Sequence, residues 1–267
     1  MAASSGFSTL MNAPFNPRGG GTARARGWDR LSFGAAAAML FAQEGANLVI
    51  AARRASELDQ VAGQITQSNG KAIAVVGDVT DPEFAASLVD RAEEVFGGLD
   101  GAFNNVGMVG EMSPVADMAN TTWHSVIETN LTSAFYAAKA QLPALQRRGG
   151  GAMVFTSSFV GTSNAGLPGM AAYAAAKAGL NGLVQSLAAD HAAEGIRVNA
   201  LLPGGTKTAM AGDDPAAHDY ISSLHPMQRM AQPVEIAQAA CFLLSDRASF
   251  VTGAPLSADG GVSVRFA

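Results

Sequence analysis

The sequence contains little cysteine, little charge and few aromatic residues. Its 267 residues include one cysteine, Cys241, which excludes an internal disulfide framework and a multi-cysteine metal site. Charged residues make up 15%, the net charge is −5 and no lysine–arginine cluster occurs, so nucleic acid and membranes are not expected partners. No long apolar run and no secretory signal are present, which predicts no membrane span. At 48% apolar residues, the composition predicts a folded, soluble, cytoplasmic protein.

A regular alternation of short apolar runs and longer helical stretches begins at Gly34. The runs are apolar on both faces, as is typical of strands that helices cover on both sides. Repeated strand–helix–strand units predict a single-domain, Rossmann-like α/β fold with a doubly wound parallel sheet. The predicted strands are 47–51, 72–76, 99–104, 152–156 and 196–202, and the predicted helices are 34–44, 55–68, 81–96, 119–147, 171–194 and 233–245.

The segment from Tyr173 to Lys177 is the strongest candidate for catalysis. Four residues apart on a helix, the two side chains share one face. A free phenol has a pKa of about 10, and a neighbouring ammonium lowers it toward the range useful for proton transfer. A solvated surface pair is the alternative, and the helical spacing of Tyr136 and Lys139 shows how easily such a pair arises.

The surrounding residues favour the catalytic interpretation. Ser158 lies fifteen residues before Tyr173, at the end of the predicted strand 152–156, where its hydroxyl can reach the same carbonyl oxygen. Over most of residues 34–265 the sequence resembles the short-chain dehydrogenase/reductase family. The landmarks that carry this resemblance are, in chain order, Asp78-Val79, Asn104-Asn105-Val106-Gly107, Asn130, Ser158, Tyr173, Lys177, Pro203-Gly204 and Asp259-Gly260-Gly261.

The resemblance implies an NAD(P)-dependent oxidoreductase that interconverts a secondary alcohol and a ketone. Tyr173 would move the proton at the substrate oxygen, and Lys177 would lower the pKa of that phenol and hold the nicotinamide ribose. Ser158 would orient the carbonyl, a role for which Ser157 is the alternative. Asn130 would position a water for a proton relay.

The cofactor should be a nicotinamide dinucleotide, because the protein supplies acid–base groups but no hydride of its own. Ala52 stands where an NAD enzyme carries an acidic residue, and Arg53 and Arg54 follow it. A guanidinium can pair with a 2′-phosphate, so NADP is favoured over NAD, with Arg53 as the main contact and a solvated basic loop as the alternative. By resemblance, further cofactor contacts are Gly34, Asp78, Val79, Asn104, Gly107, Lys177, Pro203, Gly204, Thr206 and Thr208.

The start of the chain departs from the family pattern. The family opens with a buried strand and a Thr-Gly-x-x-x-Gly-x-Gly loop, whose glycines let the backbone approach the pyrophosphate. Gly34 fills the last glycine position, but Ser32 and Trp28 fill the other two, and residues 18–26 contain no apolar run for the central strand. We therefore expect an atypical segment, 1–33, before a dinucleotide-binding domain, 34–267.

Three explanations remain open for this start. A reading-frame fault is favoured, because Trp28 to Arg30 can be encoded by TGG-GAT-CGG, which gives Gly-Ile-Gly when it is read one base later. Alternatively, Gly27, Ser32 and Gly34 form a rebuilt loop. In the third explanation the chain has lost its cofactor and is a non-catalytic binding or scaffold protein. Sequencing the gene over codons 18–33 tests the first.

The remaining segments predict a lid and an assembly. Residues 206–230 resemble the family's mobile substrate loop. The histidines at 124, 191, 218 and 225 are scattered, so we interpret them as ordinary surface or loop residues and expect no metal. The predicted helices 119–147 and 171–194 are rich in Ala and Gly, which by resemblance indicates a homotetramer or homodimer, with a buried internal face as the alternative. The expected ligand is a small carbonyl compound or alcohol.

Overall fold

The computed structural model describes residues 7–12 and 31–265, which form one mixed α/β sheet structure. The strands within these residues are β1 Phe7–Asn12, β2 Asn47–Ala52, β3 Lys71–Val76, β4 Gly101–Asn105, β5 Gly151–Thr156, β6 Ile196–Pro203 and β7 Pro255–Ala258. They form a single sheet in the order β3-β2-β1-β4-β5-β6-β7. Every neighbouring pair is parallel except the two pairs that include β1.

Helices follow or precede most of these strands. The α-helices of the described residues are α1 Phe33–Gln43, α2 Ala55–Gln67, α3 Pro82–Phe96, α4 Asn120–Ile127, α5 Ser133–Arg148, α6 Ala171–His191, α7 Pro215–Leu224 and α8 Pro233–Leu244. A π-helical turn, Glu128–Thr132, joins α4 to α5. Asp81 caps α3, since its carboxylate accepts a hydrogen bond from the Glu83 N–H at 2.9 Å.

Two hydrophobic cores lie on the two faces of the sheet. Helices α1, α2 and α8 pack on one face around Phe41 and Phe103. Helices α3, α5 and α6 pack on the other, around Phe155 and Leu145. Because helices cover both faces, the inner strands are buried on both sides, and β2, for example, is buried from Leu48 to Ala52. The prediction of a doubly wound α/β fold is confirmed.

The central strand β1 is the exception to the parallel arrangement. It runs antiparallel to both β2 and β4, with Leu10 opposite Val49 on one side and Ala102 on the other. Leu10 belongs to one core and Met11 to the other, so the strand contributes to both. The Thr9 hydroxyl is buried with no hydrogen-bond partner within the described residues, an arrangement that costs stability. Antiparallel strands in such sheets usually lie at an edge, whereas this one lies in the centre.

Within the described residues, the structure adds two strands and one α-helix that the pattern of apolar runs did not predict. All five predicted strands and all six predicted helices are present, with shifts of one to three residues at their ends and with 119–147 divided by the π-helical turn. The additional elements are β1, β7 and α7. The expected boundary between residues 33 and 34 falls at the first residue of α1, and the division into two segments stays a prediction.

Candidate active site

A cavity of about 650 Å³ opens at the carboxyl ends of β4, β5 and β6. We call it the central cavity. Its walls come from the start of α1, the segments that follow β4, β5 and β6, the first turns of α6, and α7 with the turn after β7. This is the edge at which ligands bind in doubly wound sheets, and the volume lies within the usual range for ligand pockets.

Ser158 and Tyr173 meet on one wall of the central cavity. Ser158 follows β5 and Tyr173 lies in the first turn of α6, which brings the two hydroxyls into a hydrogen bond. Burial raises the pKa of the Tyr173 phenol, and the Ser158 hydrogen bond opposes that shift. A protonated phenol beside a second hydroxyl is suited to donate a proton to an oxygen that binds between them.

Lys177 lies one helical turn beyond Tyr173 and is buried. Its ammonium donates to the carbonyl oxygens of Thr156 at 2.8 Å and Val106 at 3.0 Å, and its Nζ is 5.7 Å from the centre of the Tyr173 ring. Burial lowers the pKa of Lys177 to about 7. The sequence predicts that Lys177 lowers the pKa of Tyr173. In this site the loss of solvent around the phenol has the larger effect, and it raises that pKa.

The two neighbouring serines have different surroundings. The Ser157 hydroxyl donates to the Lys177 carbonyl oxygen at 2.9 Å, which ties β5 to α6. Ser158 instead accepts from the Val160 N–H at 3.1 Å and bonds to Tyr173. The geometry therefore favours Ser158 over Ser157 for the carbonyl. The Thr156 hydroxyl is buried at the cavity without a hydrogen-bond partner in the described part of the chain, so it is a polar group that a ligand can satisfy.

Asn130 lies in the π-helical turn and is buried behind the central cavity. Its amide nitrogen donates to the carbonyl oxygens of Met108 and Val126, each at 2.8 Å, and its carbonyl oxygen accepts from the Met108 N–H at 3.1 Å. These bonds hold the segment after β4 against the helix. Irregular turns of this kind are frequent at functional sites, and the water-relay role of Asn130 stays a prediction.

Six of the predicted cofactor contacts line the central cavity. They are Gly107, Lys177, Pro203, Gly204, Thr206 and Thr208. They come from three elements that end or begin at the same sheet edge, so the parallel order of β4, β5 and β6 brings them together.

The other predicted contacts lie away from the cavity walls. The Asn104 amide pairs reciprocally with the Gln141 amide at 2.9 Å on the α5 side, so its side chain faces the core rather than the cavity. Asp78 is exposed and accepts from both the N–H and the hydroxyl of Thr80. Val79, partly buried, faces a small recess beside Asn104, and Gly34 is buried in the first turn of α1.

Arg53 and Arg54 are exposed directly after β2. Arg54 pairs with Glu57 at 2.7 Å across one turn of α2. The two guanidiniums therefore lie at the carboxyl edge of the sheet, on the side of β2 and β3, and neither is among the residues of the central cavity.

The start of α1 lies at the cavity, but β1 does not lead into it. Ser32 and Phe33 line the cavity, and the Ser32 hydroxyl accepts from the Ala35 N–H at 3.3 Å as a helix cap. Because β1 runs antiparallel, its last residue pairs with Asn47 at the start of β2, at the opposite edge of the sheet. The family's strand–glycine turn–helix unit is therefore not formed by β1 and α1. The predicted glycine-loop positions at Gly27 and Trp28 lie outside the described residues.

His225 is a polar residue of the central cavity whose place the sequence did not predict. His225 is 2% exposed and lines the central cavity, so its interpretation as an ordinary surface or loop residue was wrong. The Gly205 N–H donates to its Nε2 at 2.9 Å, and its Nδ1 is 2.7 Å from the Ile221 carbonyl oxygen. A buried histidine beside a glycine-rich turn is a signal that only the fold reveals, because Gly205 and His225 are twenty residues apart.

The side of the cavity away from α1 is mostly apolar. It is lined by Phe159, Val160, Leu167, Met170, Tyr220 and Leu224, and its cationic groups are Lys177 and Arg265. Within residues 7–12 and 31–265, no three histidine, cysteine or acidic side chains are grouped as a metal site requires, and no helix has the length and apolarity to cross a membrane.

The order of these elements and landmarks corresponds to one known family. A family model described as enoyl-(acyl carrier protein) reductase matches residues 28–263. The chain is 37% identical over 227 residues to cyclohexanol dehydrogenase of Acinetobacter sp. (strain SE19), a match that covers 85% of this chain and 89% of that protein. The chain belongs to the short-chain dehydrogenase/reductase family. It is also 40% identical over 229 residues to cis-4-hydroxycyclohexanecarboxylate dehydrogenase of Sinomonas cyclohexanicum, covering 85% and 91% of the two chains.

Solved structures of short-chain dehydrogenase/reductases have the same fold. Carveol dehydrogenase from Mycobacterium avium, in complex with NAD, has a TM-score of 0.84 and 28% identity, with 90% of this chain and 96% of that chain covered. Gluconate 5-dehydrogenase from Burkholderia cenocepacia J2315, in complex with NADP and tartrate, has a TM-score of 0.81 and 29% identity, with 90% and 94% covered. These likenesses agree with the predicted family and fold.

Proposed function

We propose that this short-chain dehydrogenase/reductase interconverts a secondary alcohol and a ketone with a nicotinamide dinucleotide. The observation that carries the proposal is the meeting of Ser158, Tyr173 and Lys177 on one wall of a ligand-sized cavity. The names of the relatives, which are alcohol dehydrogenases, agree with this chemistry.

The side chains divide the work at the substrate oxygen. Tyr173 gives a proton to that oxygen during ketone reduction and takes it back during alcohol oxidation, and Ser158 holds the oxygen by a second hydrogen bond. Lys177 keeps the Val106 and Thr156 segments in place and presents its remaining N–H to the cavity. A nicotinamide bound here would supply or accept the hydride.

The cofactor fits the cavity at its nicotinamide end. The unsatisfied Thr156 hydroxyl, the Lys177 ammonium and the segment that contains Thr206 and Thr208 offer polar groups there. The capped N-terminus of α1 at Ser32 presents the positive end of a helix dipole to a pyrophosphate. Asp78 and Val79 would contact the adenine at the edge beyond β3, and Gly107 would face the ribose.

We propose a preference for NADP over NAD. Ala52 provides no carboxylate at the end of β2, and the exposed Arg53 follows it as the partner for a 2′-phosphate, with Arg54 second. The two solved relatives bind NAD and NADP respectively, so the shared fold does not decide between the two cofactors. The preference proposed for this chain therefore rests on its arginines.

The substrate is a compact, mostly apolar alcohol or ketone. The wall formed by Phe159, Met170 and Leu224 suits a hydrocarbon ring, and the names of both curated relatives describe hydroxylated cyclohexanes. Closure of α7 over this wall would exclude water from the reacting atoms, as the family resemblance implies for residues 206–230.

We also propose that the protein is a cytoplasmic homotetramer or homodimer. The aromatic side chains of Trp123 and Phe135 on α4 and α5 are 40% and 49% exposed, and Gly182 on α6 has open space where a Cβ would stand. Small and exposed apolar residues on these helices suit packing against a second copy. Size-exclusion chromatography with light scattering tests the assembly, and a monomer at micromolar concentration would refute it.

Turnover of ring alcohols tests the proposed function. Purified protein is mixed with cyclohexanol and NADP⁺ or NAD⁺, and with cyclohexanone and the reduced cofactors, and the absorbance of reduced nicotinamide is followed. The expected result is turnover that the Tyr173→Phe variant loses. An enoyl thioester serves as a further substrate. Reduction of the enoyl thioester without turnover of any alcohol or ketone would contradict the proposal.

A further inference from the structure

We propose that His225 is a positioning residue that locks α7 to the segment 203–208, so that substrate-side and cofactor-side walls of the central cavity move together. Neither the family landmarks nor the comparisons assign it a role. The kinetic part of the test rests on the proposed function, whereas the structural part does not.

The hydrogen bonds of His225 join two separate elements. Its Nε2 accepts the Gly205 N–H at 2.9 Å, in the segment after β6. Its Nδ1 lies 2.7 Å from the Ile221 carbonyl oxygen, within α7. Because a backbone N–H can only donate, Nε2 carries no proton and Nδ1 carries the one that bonds to Ile221. The neutral ring with this tautomer satisfies both groups at once.

The His225 ring is closely packed between glycine residues of two turns. A Cβ on Gly204 would stand 2.8 Å from Nε2, and a Cβ on Gly205 would stand 2.9 Å from Cε1 and 2.5 Å from the Ile221 side chain. Gly260, in the turn after β7, approaches the other side of the ring, where a Cβ would stand 3.2 Å from Cδ2. At Gly204 and Gly205 these distances leave no space for a side chain, and at Gly260, where φ is +58°, a side chain would be tightly packed and its backbone strained.

The joined elements carry the cavity residues on both sides of the reacting atoms. The segment after Gly205 contributes Thr206 and Thr208, and α7 contributes Tyr220 and Ile221. Under the proposed function, the two Thr residues belong to the cofactor end of the cavity, whereas α7 belongs to the apolar substrate wall. If the ring connects them, a displacement of α7 also displaces the segment 203–208. Binding of either the substrate or the cofactor then stabilises the positions of both elements.

Two variants separate the shape of the ring from its hydrogen bonds. His225→Phe keeps an aromatic ring but loses both nitrogen atoms, whereas His225→Gln keeps one acceptor and one donor. The control is His218→Phe, because His218 lies on α7, which His225 directly follows, and is outside the cavity walls, with its Nε2 2.8 Å from the Gly212 carbonyl oxygen.

Hydrogen exchange gives a measurement that does not need activity. In His225→Phe, amides of 204–208 and of α7 should exchange at least about tenfold faster than in the wild type, because a hydrogen bond is lost at each end. His225→Gln should stay within about threefold of wild type, and His218→Phe should leave 204–208 unchanged. Unchanged exchange of 204–208 in His225→Phe, or equal loss in Phe and Gln, would overturn the proposal.

Steady-state kinetics test whether His225 affects ligand binding during turnover. His225→Phe should raise KM for the cofactor and for cyclohexanol about tenfold while kcat changes less, and His225→Gln should restore both. If His225→Phe loses activity only because a smaller fraction of the protein is folded, and KM is unchanged, the positioning role is overturned. If the wild type turns over no alcohol, the proposed function fails while the exchange result still decides the coupling.

A spectroscopic measurement on the wild type covers the case in which His225→Phe does not fold. Nitrogen NMR of the histidine side chains should show His225 as a neutral ring protonated at Nδ1. The opposite tautomer, or a doubly protonated ring at neutral pH, would contradict the bond from Gly205.

Discussion

The central cavity has two sides that follow the family pattern to different degrees. On the catalytic side, β5 and α6 place Ser158, Tyr173 and Lys177 in the predicted relationship. On the side of α1, Ser32 caps the helix at the cavity, but the preceding strand β1 runs in the opposite direction and ends at the far edge. The difference teaches that β5 and α6 bring Ser158, Tyr173 and Lys177, the proposed catalytic residues, together in a sheet whose central strand runs against the family pattern.

The largest expected effect tests the catalytic side. Tyr173→Phe removes the proton donor while leaving the ring in place, so kcat should fall by about 10²–10⁴-fold with cofactor affinity nearly unchanged. Tyr136→Phe is the matched control, since Tyr136 and Lys139 have a similar helical spacing on α5. A Tyr173→Phe enzyme with near wild-type turnover would remove Tyr173 from its assigned role.

The next effect tests whether β1 belongs in the centre of the sheet. Leu10 is 1% exposed, so Leu10→Ala should lower the free energy of unfolding by about 2–5 kcal/mol in urea titrations. Val76→Ala, at a strand position that is 52% exposed, should change it by less than about 0.5 kcal/mol. Equal effects of the two substitutions would show that Phe7–Asn12 does not occupy the core.

Lys177 gives the catalytic side a dependence of stability on pH. Its pKa of about 7 in the folded protein lies below its ordinary value of 10.5, so the unfolded chain binds more protons between these values. The stability of the free protein should therefore rise as pH increases from about 7 toward 10, by several degrees in Tm. Lys177→Met should lose this rise. Wild-type and variant curves of the same shape would show that Lys177 stays protonated.

The smallest effect concerns the edge beyond β2. Arg53→Ala should lower kcat/KM with NADPH about tenfold and leave NADH within twofold, because an exposed charge pair is partly screened. Arg54→Ala should have a weaker effect, since Arg54 already pairs with Glu57. Equal losses of kcat/KM with NADPH and NADH would contradict the assignment of Arg53 to the 2′-phosphate.

The sequence predicted those parts whose signals are local. Asp81-Pro82 predicted the start of α3, and Asp214-Pro215 carries the same signal at the start of α7, where the Asp214 carboxylate accepts from the Ala216 N–H at 3.0 Å. No helix is predicted there from the sequence, because residues 206–230 offer little other pattern. Strand β7 has four residues, too few for an apolar run to be recognised.

The features that sequence reasoning missed depend on pairs that are distant in the chain. The side chain of Asn104 was expected at the cofactor, but Gln141, 37 residues later, binds it on the other side of the sheet. The burial of His225 depends on Gly205 and Gly260, which the fold brings together. The place of β1 depends on pairing with β2 and β4, and six residues of mixed polarity do not reveal it.

The most direct test of the account is a titration of the purified protein with NADPH and NADH, followed by nicotinamide fluorescence and thermal shift. The account predicts saturable binding with a clear rise in Tm, tighter for NADPH than for NADH. A folded protein that binds neither cofactor would contradict it. Without a bound nicotinamide there is no hydride donor or acceptor for the reaction in which Tyr173 is proposed to move the proton.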